Sequence, residues 1–132
     1  MKQLFFSLTI IGCLTVIPSG QGTRMLRHPT VNRDLVPFAY AGDLWVVSRN
    51  GGTARRITAT SRAESDPYFS PDGSKVAFSA TAAGNTDVYV MSVSGGDPKR
   101  LTYNPVIDQV RGWTPDGQRV LFSSVRADAP LE

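Results

Sequence analysis

The sequence predicts an all-β chain made of β-propeller blades, each a sheet of four antiparallel strands. Three observations point there. Phe69-Ser70-Pro71-Asp72-Gly73-Ser74-Lys75-Val76-Ala77-Phe78-Ser79 returns 44 residues later as Trp113-Thr114-Pro115-Asp116-Gly117-Gln118-Arg119-Val120-Leu121-Phe122-Ser123, with six of eleven positions identical. Asp43-Leu44-Trp45-Val46-Val47-Ser48-Arg49-Asn50-Gly51-Gly52 returns at the same interval as Asp87-Val88-Tyr89-Val90-Met91-Ser92-Val93-Ser94-Gly95-Gly96. A period of roughly 40–45 residues carrying several short strands marks a propeller, one blade per repeat. The third observation is that Val88-Tyr89-Val90-Met91 and Leu44-Trp45-Val46-Val47 are apolar on both alternating faces. A sheet with one wet face alternates apolar with polar, so these strands are covered on both sides, as stacked blades are. A small β-sandwich needs no sequence repeat, so the fixed spacing favours the propeller.

The elements follow in order. Met1-Lys2 is positive, residues 4–17 are a mostly apolar run, and Pro18-Ser19-Gly20-Gln21-Gly22 is small and polar. That is the layout of a secretory signal peptide over residues 1–22, with the mature chain starting at Thr23. The run is shorter than the about 20 apolar residues that span a membrane, so no membrane span is expected. Ile10-Ile11-Gly12-Cys13 also resembles a lipobox, which makes a lipoprotein anchored at Cys13 the alternative.

Residues 23–132 read as a partial propeller, with blades at about 25–60, 65–104 and 108–132, the last incomplete. Strands are expected at 26–30, 35–40, 43–48 and 54–58 in the first repeat. The second repeat offers 66–70, 75–80, 87–93 and 99–102, and the third 109–114 and 119–124. In Ser70-Pro71-Asp72-Gly73 the proline presets φ, aspartate suits the next position, and glycine supplies the left-handed residue of a type I turn with a bulge. Thr114-Pro115-Asp116-Gly117 repeats this turn, whereas Thr30-Val31-Asn32-Arg33 is a degenerate version. The pairs Gly51-Gly52 and Gly95-Gly96 supply positive φ between strands three and four. Fourth strands are short and basic, as exposed outer edges should be. About two and a half blades cannot close a ring, so the chain reads as the front portion of a larger protein.

Composition narrows the function classes. With 41% apolar and 19% charged residues the chain is of ordinary globular type, neither collagenous, coiled-coil nor disordered. The net charge of +3 comes from cations of which eleven of fourteen are arginine, densest at Arg55-Arg56 and Lys99-Arg100. No aromatic residues interleave with them, so they read as solvated outer strands and no nucleic-acid partner is expected. Cys13 is the one cysteine and His28 the one histidine. The mature chain therefore has no disulfide and no zinc set of ordinary ligand count, and no metal or cofactor is expected. Ser70, Asp72, Asp116 and Ser123 sit at turns or strand ends that the repeat already explains, and Asp43 and Asp87 brace loops. No catalytic, cofactor-binding or metal-binding residue is assigned.

Pro-Asp-Gly after Ser or Thr, then Val-x-Phe-Ser, Asp-x-Tyr/Trp-Val and Gly-Gly, is similar to the repeat of TolB-like propellers and of several serine peptidase propellers. The opening Thr23-Arg24-Met25-Leu26-Arg27-His28-Pro29-Thr30-Val31, followed by Phe38-Ala39-Tyr40-Ala41-Gly42-Asp43-Leu44-Trp45-Val46-Val47, resembles bacterial tricorn protease homologues. So do Gly84-Asn85-Thr86-Asp87-Val88-Tyr89-Val90, Pro98-Lys99-Arg100-Leu101-Thr102-Tyr103 and Arg111-Gly112-Trp113-Thr114-Pro115-Asp116-Gly117. This resemblance covers nearly all of the chain after the leader. It implies a six-bladed propeller at the front of a large protein, followed by a seven-bladed propeller, a PDZ-like module and a serine peptidase core that trims oligopeptides.

On that reading the chain scaffolds the enzyme or gates its substrate. The parent is a hydrolase and the fragment alone is not an enzyme. Its partners are the remaining blades and peptidase domains, peptide substrates reached through the parent, and further copies of the parent in a homo-oligomer. The secretory start implies a periplasmic or exported protein, against the cytoplasmic archaeal members. Two alternatives share the repeat: a TolB-like periplasmic protein-binding propeller, and the propeller of a prolyl-oligopeptidase-like exopeptidase, which would carry Gly-x-Ser-x-Gly downstream.

Overall fold

A computed structural model describes residues 26–125; the expected leader lies outside them. Among the described residues there are nine strands and no helix: β1 Leu35–Tyr40, β2 Asp43–Ser48, β3 Arg55–Arg56, β4 Ala63–Phe69, β5 Lys75–Ala82, β6 Asn85–Ser92, β7 Lys99–Arg100, β8 Asp108–Trp113 and β9 Val120–Ser124. They form three antiparallel sheets in chain order, β1-β2-β3, β4-β5-β6-β7 and β8-β9. These are three successive blades of a propeller fragment, and β3 and β7 are the outer edges expected of the basic pairs.

Blade two shows how the two apolar faces are used. Val76, Phe78 and Ala80 of β5, with Tyr89 and Met91 of β6 and Val93 just after it, pack on Ala39, Leu44, Val46 and Ile57 of blade one. The intervening Ala77 and Val88 pack on Val110 of blade three, flanked by Tyr68, Trp113 and Val120. Burying each large apolar side chain here stabilises by about 1.5–3 kcal/mol, so blade two is held from both sides. Phe78 and Tyr89 are cross-strand partners whose rings stack at 5.8 Å.

Polar contacts stitch the blades as well. Thr30 donates to the Pro67 carbonyl at 2.7 Å, Arg55 to Val93 O at 3.0 Å and Trp113 Nε1 to Tyr68 O at 2.9 Å.

The turns behave as their residues dictate. Gly73 N bonds Ser70 O at 2.8 Å with φ +75°, and Gly117 N bonds Thr114 O at 2.9 Å with φ +69°. A β-carbon at Gly73 would lie 2.1 Å from Asn32 of blade one, so this turn also nests against its neighbour.

Four expectations change, the first being that the strand expected at 66–70 begins earlier, as β4 at Ala63–Phe69. The strand expected at 26–30 is a single bridge from Arg27 to Ala39. His28 sits at φ +48° and Pro29 has no N–H, so the ladder breaks there. The outer strands expected at 54–58 and 99–102 shrink to two residues each. The hydroxyls of Thr58 and Thr102 take the amides of Leu44 and Val88, at 2.8 and 3.0 Å, in place of a backbone carbonyl. Conversely β5 and β6 run on to a two-residue turn at Ala83-Gly84, matched by Ala41-Gly42 in blade one. Both central residues have positive φ, as in type I′ hairpins, although alanine pays about 1–2 kcal/mol there.

Candidate functional site

Polar side chains converge at the junctions between blades. At the first junction Asp43 opens β2, Arg56 lies opposite on β3, and Thr58 and Glu64 follow on the way into blade two. Arg56 pairs with Asp43 at 3.2 Å. Thr58 accepts from Leu44 N and donates to one oxygen of Glu64, while Thr60 donates to the other at 2.8 Å. Glu64 N is bonded to Gly42 O of blade one at 2.9 Å. Burial pushes the Glu64 carboxyl above its ordinary value, against the two hydroxyls that favour its charged form.

The second junction repeats this set 44 residues on. Arg100 pairs with Asp87 at 2.7 Å, Thr102 accepts from Val88 N, and Asp108 is fully buried where Glu64 stands one blade earlier. The hydrogen bond to Asp87 raises the Arg100 guanidinium further above its already high value. Asp43 and Asp87, expected to brace loops, instead lie within β2 and β6 and tie these strands to the basic outer strands β3 and β7. At the first junction the cluster ties β2 of blade one to β4 of blade two through Thr58 and Glu64. The sequence signal was the Arg-x-Thr spacing 13 and 15 residues after each aspartate.

A third cluster was not legible from the repeat alone. His28 Nδ1 lies 2.9 Å from Asp66 Oδ1, joining the first blade's inner segment to β4. Both residues have positive φ, +48° and +50°, and each precedes a proline. The shared X-Pro step marks both as the same bulge of an inner strand, which offsets the β4–β5 register between Ser65 and Tyr68. Ser65 Oγ donates to the other Asp66 oxygen at 2.9 Å. A cleft of about 530 Å³ lies beside them, lined by Arg27, His28, Tyr40, Glu64, Ser65 and Thr81.

Asp66 can orient the imidazole, but among the described residues no hydroxyl is hydrogen-bonded to His28, and acyl transfer requires a nucleophile there. Among the described residues no three or more His, Cys, Asp or Glu side chains gather as a metal would need.

The turn residues are held internally. Asp72 accepts from Ser70 Oγ at 2.5 Å, Ser74 Oγ at 2.7 Å and Ser74 N at 3.1 Å, which lowers its carboxyl to about 2. Asp116 is lowered in the same way by Thr114 and Gln118 N. Ser123 Oγ accepts from Arg111 at 3.0 Å.

Known proteins share this architecture. The tricorn protease N-terminal beta propeller domain matches residues 23–132. Tricorn protease homolog 1 of Streptomyces coelicolor is 43% identical over 59 residues, 45% of this chain and 6% of that protein. The crystal structure of the tricorn protease superposes with a TM-score of 0.62 at 27% identity, over 70% of this chain and 10% of that one. TolB from Acinetobacter baumannii gives 0.60 at 28% identity, over 74% of this chain and 25% of its own. A putative TolB from Agrobacterium tumefaciens gives 0.68 at 21% identity, over 76% and 38%, a likeness of fold. The chain therefore spans a small part of the relatives it matches. On the match across residues 23–132, the chain belongs to the tricorn protease N-terminal beta propeller domain family.

Proposed function

We propose that this chain is the front of a tricorn-like serine peptidase and serves it as scaffold and substrate gate. The family match across three consecutive blades carries this reading. The interior of each blade junction is occupied by packing and by ion pairs, which suits a rigid wall. The clefts are open and lie between blades, where a passing oligopeptide meets side chains and not a reacting centre. Catalysis on this reading belongs to the remainder of the parent protein, and the leader at residues 1–22 exports it.

The test compares the complete parent with a version lacking residues 23–125, using fluorogenic di- to decapeptides. The expected outcome is that short peptides remain substrates while the length dependence of kcat/KM changes. An unchanged length profile overturns the gating role, and absence of peptidase activity in the intact parent overturns the whole reading. N-terminal sequencing of the exported protein tests the leader: a start near Thr23 supports it, and a lipidated Cys13 replaces it with the anchored form.

The likeness to TolB favours one second reading, a periplasmic protein-binding propeller. A coding region that stops after about six blades would establish it.

A further inference from the structure

We propose that the cleft between blades one and two binds a small phosphate-bearing ligand, free phosphate or a phosphomonoester, with Arg27 and His28 taking the phosphate. Blades one and two enclose this cleft of about 530 Å³ by themselves, so it does not depend on any blade beyond them.

The repeat shows that the cleft departs from the blade pattern. Its wall includes Ala63 and Thr81, a cross-strand pair of β4 and β5. The residues 44 positions later are Ile107 and Val125, which are joined by a backbone hydrogen bond at 3.4 Å. The blade pattern thus admits two branched apolar side chains at this pair. The first junction carries a methyl and a hydroxyl there instead, and the room they leave suits the organic body of an ester.

The backbone is bent toward the same cleft. Arg27 and His28 are consecutive, and an extended strand would send their side chains to opposite faces. Both line the cleft, because His28 is left-handed at φ +48°. Left-handed backbone at a non-glycine residue is strained and persists only where its surroundings hold it. Asp66 holds it here: its Oδ1 is 2.9 Å from His28 Nδ1, and it is itself left-handed at φ +50°.

The groups on the wall match a phosphate. In an imidazolium both ring nitrogens donate, so with Nδ1 committed to Asp66 the ligand meets Nε2. Arg27 is tied to Ala39 through its backbone alone, by two bonds of 3.1 Å, and its guanidinium adds a fork of donors. Ser65 Oγ donates to Asp66, so toward a ligand it accepts, as from the P–OH of a phosphate monoanion. Thr81 shares its hydroxyl with Thr86 and can donate or accept. A phosphate has oxygens in several directions and an O–H in its monoanion, whereas a carboxylate has two oxygens in one plane. Glu64, the acid on this wall, is 4% exposed and its oxygens are taken by Thr58 and Thr60, so it does not confront the anion.

Equilibrium dialysis of the whole chain against radiolabelled glycerol phosphate tests this, whatever the chain's association state. Saturable binding is expected. Unlabelled inorganic phosphate should compete, and its strength relative to the ester tells free phosphate from an ester as the source. Acetate should compete at least about tenfold more weakly. Arg27→Gln keeps the backbone bonds to Ala39 and should weaken binding at least about tenfold. Ala63→Ile with Thr81→Val brings in the side chains of the following repeat, which its own blade accommodates, and should abolish binding. Absence of saturable binding, acetate competing as well as phosphate, or full binding by either variant overturns the proposal. None of these outcomes bears on the peptidase reading, which is tested by the parent's activity.

Discussion

Arg100 donates to Asp87 across 2.7 Å, and Arg56 repeats the contact with Asp43 one blade earlier at 3.2 Å. The two pairs differ in burial, since the Asp87 side chain is the more enclosed. An uncompensated carboxylate costs more where water is less able to replace its partner. Arg100→Met should therefore lower the urea midpoint of the chain, by an amount limited by the arginine's exposure. Arg56→Met should cost about half as much. Urea midpoints of the two variants against wild type check the order, and equal midpoints would contradict it.

Gly73 combines a left-handed backbone with close approach to Asn32. Gly73→Ala should cost about 1–2 kcal/mol from φ alone, plus the displacement of the Asn32 side chain. Gly117 has similar φ but its nearest neighbour, Pro71, stands at ordinary contact distance of 3.4 Å. Gly117→Ala should thus be the milder change. In an Asn32→Gly background the two substitutions should become alike, which a double-mutant comparison of thermal midpoints reads directly.

Two groups of carboxylates give the stability opposite pH dependences. Glu64 is raised by burial, so its folded form holds the proton more tightly than the unfolded chain does. Its contribution is full below the unfolded value of 4.5 and is lost as pH rises through the folded value. Asp72 is lowered to about 2 by hydrogen bonds from Ser70 and Ser74, so its contribution is present above 3.8 and is lost as pH falls through about 2. Wild type should therefore gain relative to Glu64→Gln as pH falls from 7 to 4. It should lose its advantage over Asp72→Asn between pH 4 and 2. Urea midpoints across pH 2–7 measure both differences, and parallel curves for Glu64→Gln and wild type would refute the first.

The chain expressed alone should self-associate. Leu101, Leu121 and Phe122 leave apolar surface beside an edge that is unpaired among the described residues, and such edges template pairing between chains. Size-exclusion chromatography with light scattering should show species heavier than one chain. Leu121→Lys with Phe122→Lys should raise the monomer fraction. A monodisperse wild-type monomer with a sharp cooperative melt would contradict the open-blade picture.

The repeat by itself determined the blade. The 44-residue repeat placed β1 and β2 at their observed limits, and the Pro-Asp-Gly turn placed the start of β5 and all but its last two residues, because turn chemistry is local. Two apolar faces on Val88–Met91 also required neighbours on both sides, which blades one and three supply.

Other features depended on contacts between residues distant in sequence. The threonine hydroxyls that shorten β3 and β7 act on amides 14 residues away, so no local pattern announces where those strands stop. The inner segment near His28 looked like a strand by analogy with its repeat. Its left-handed backbone is fixed by Asp66 and Thr30 contacts to blade two, and those exist only once the blades are stacked. The Arg–Asp pairs and the buried Glu64 likewise take their roles from the junction. Charge and spacing are written in the sequence, but the burial that gives them energy is a property of the assembled sheets.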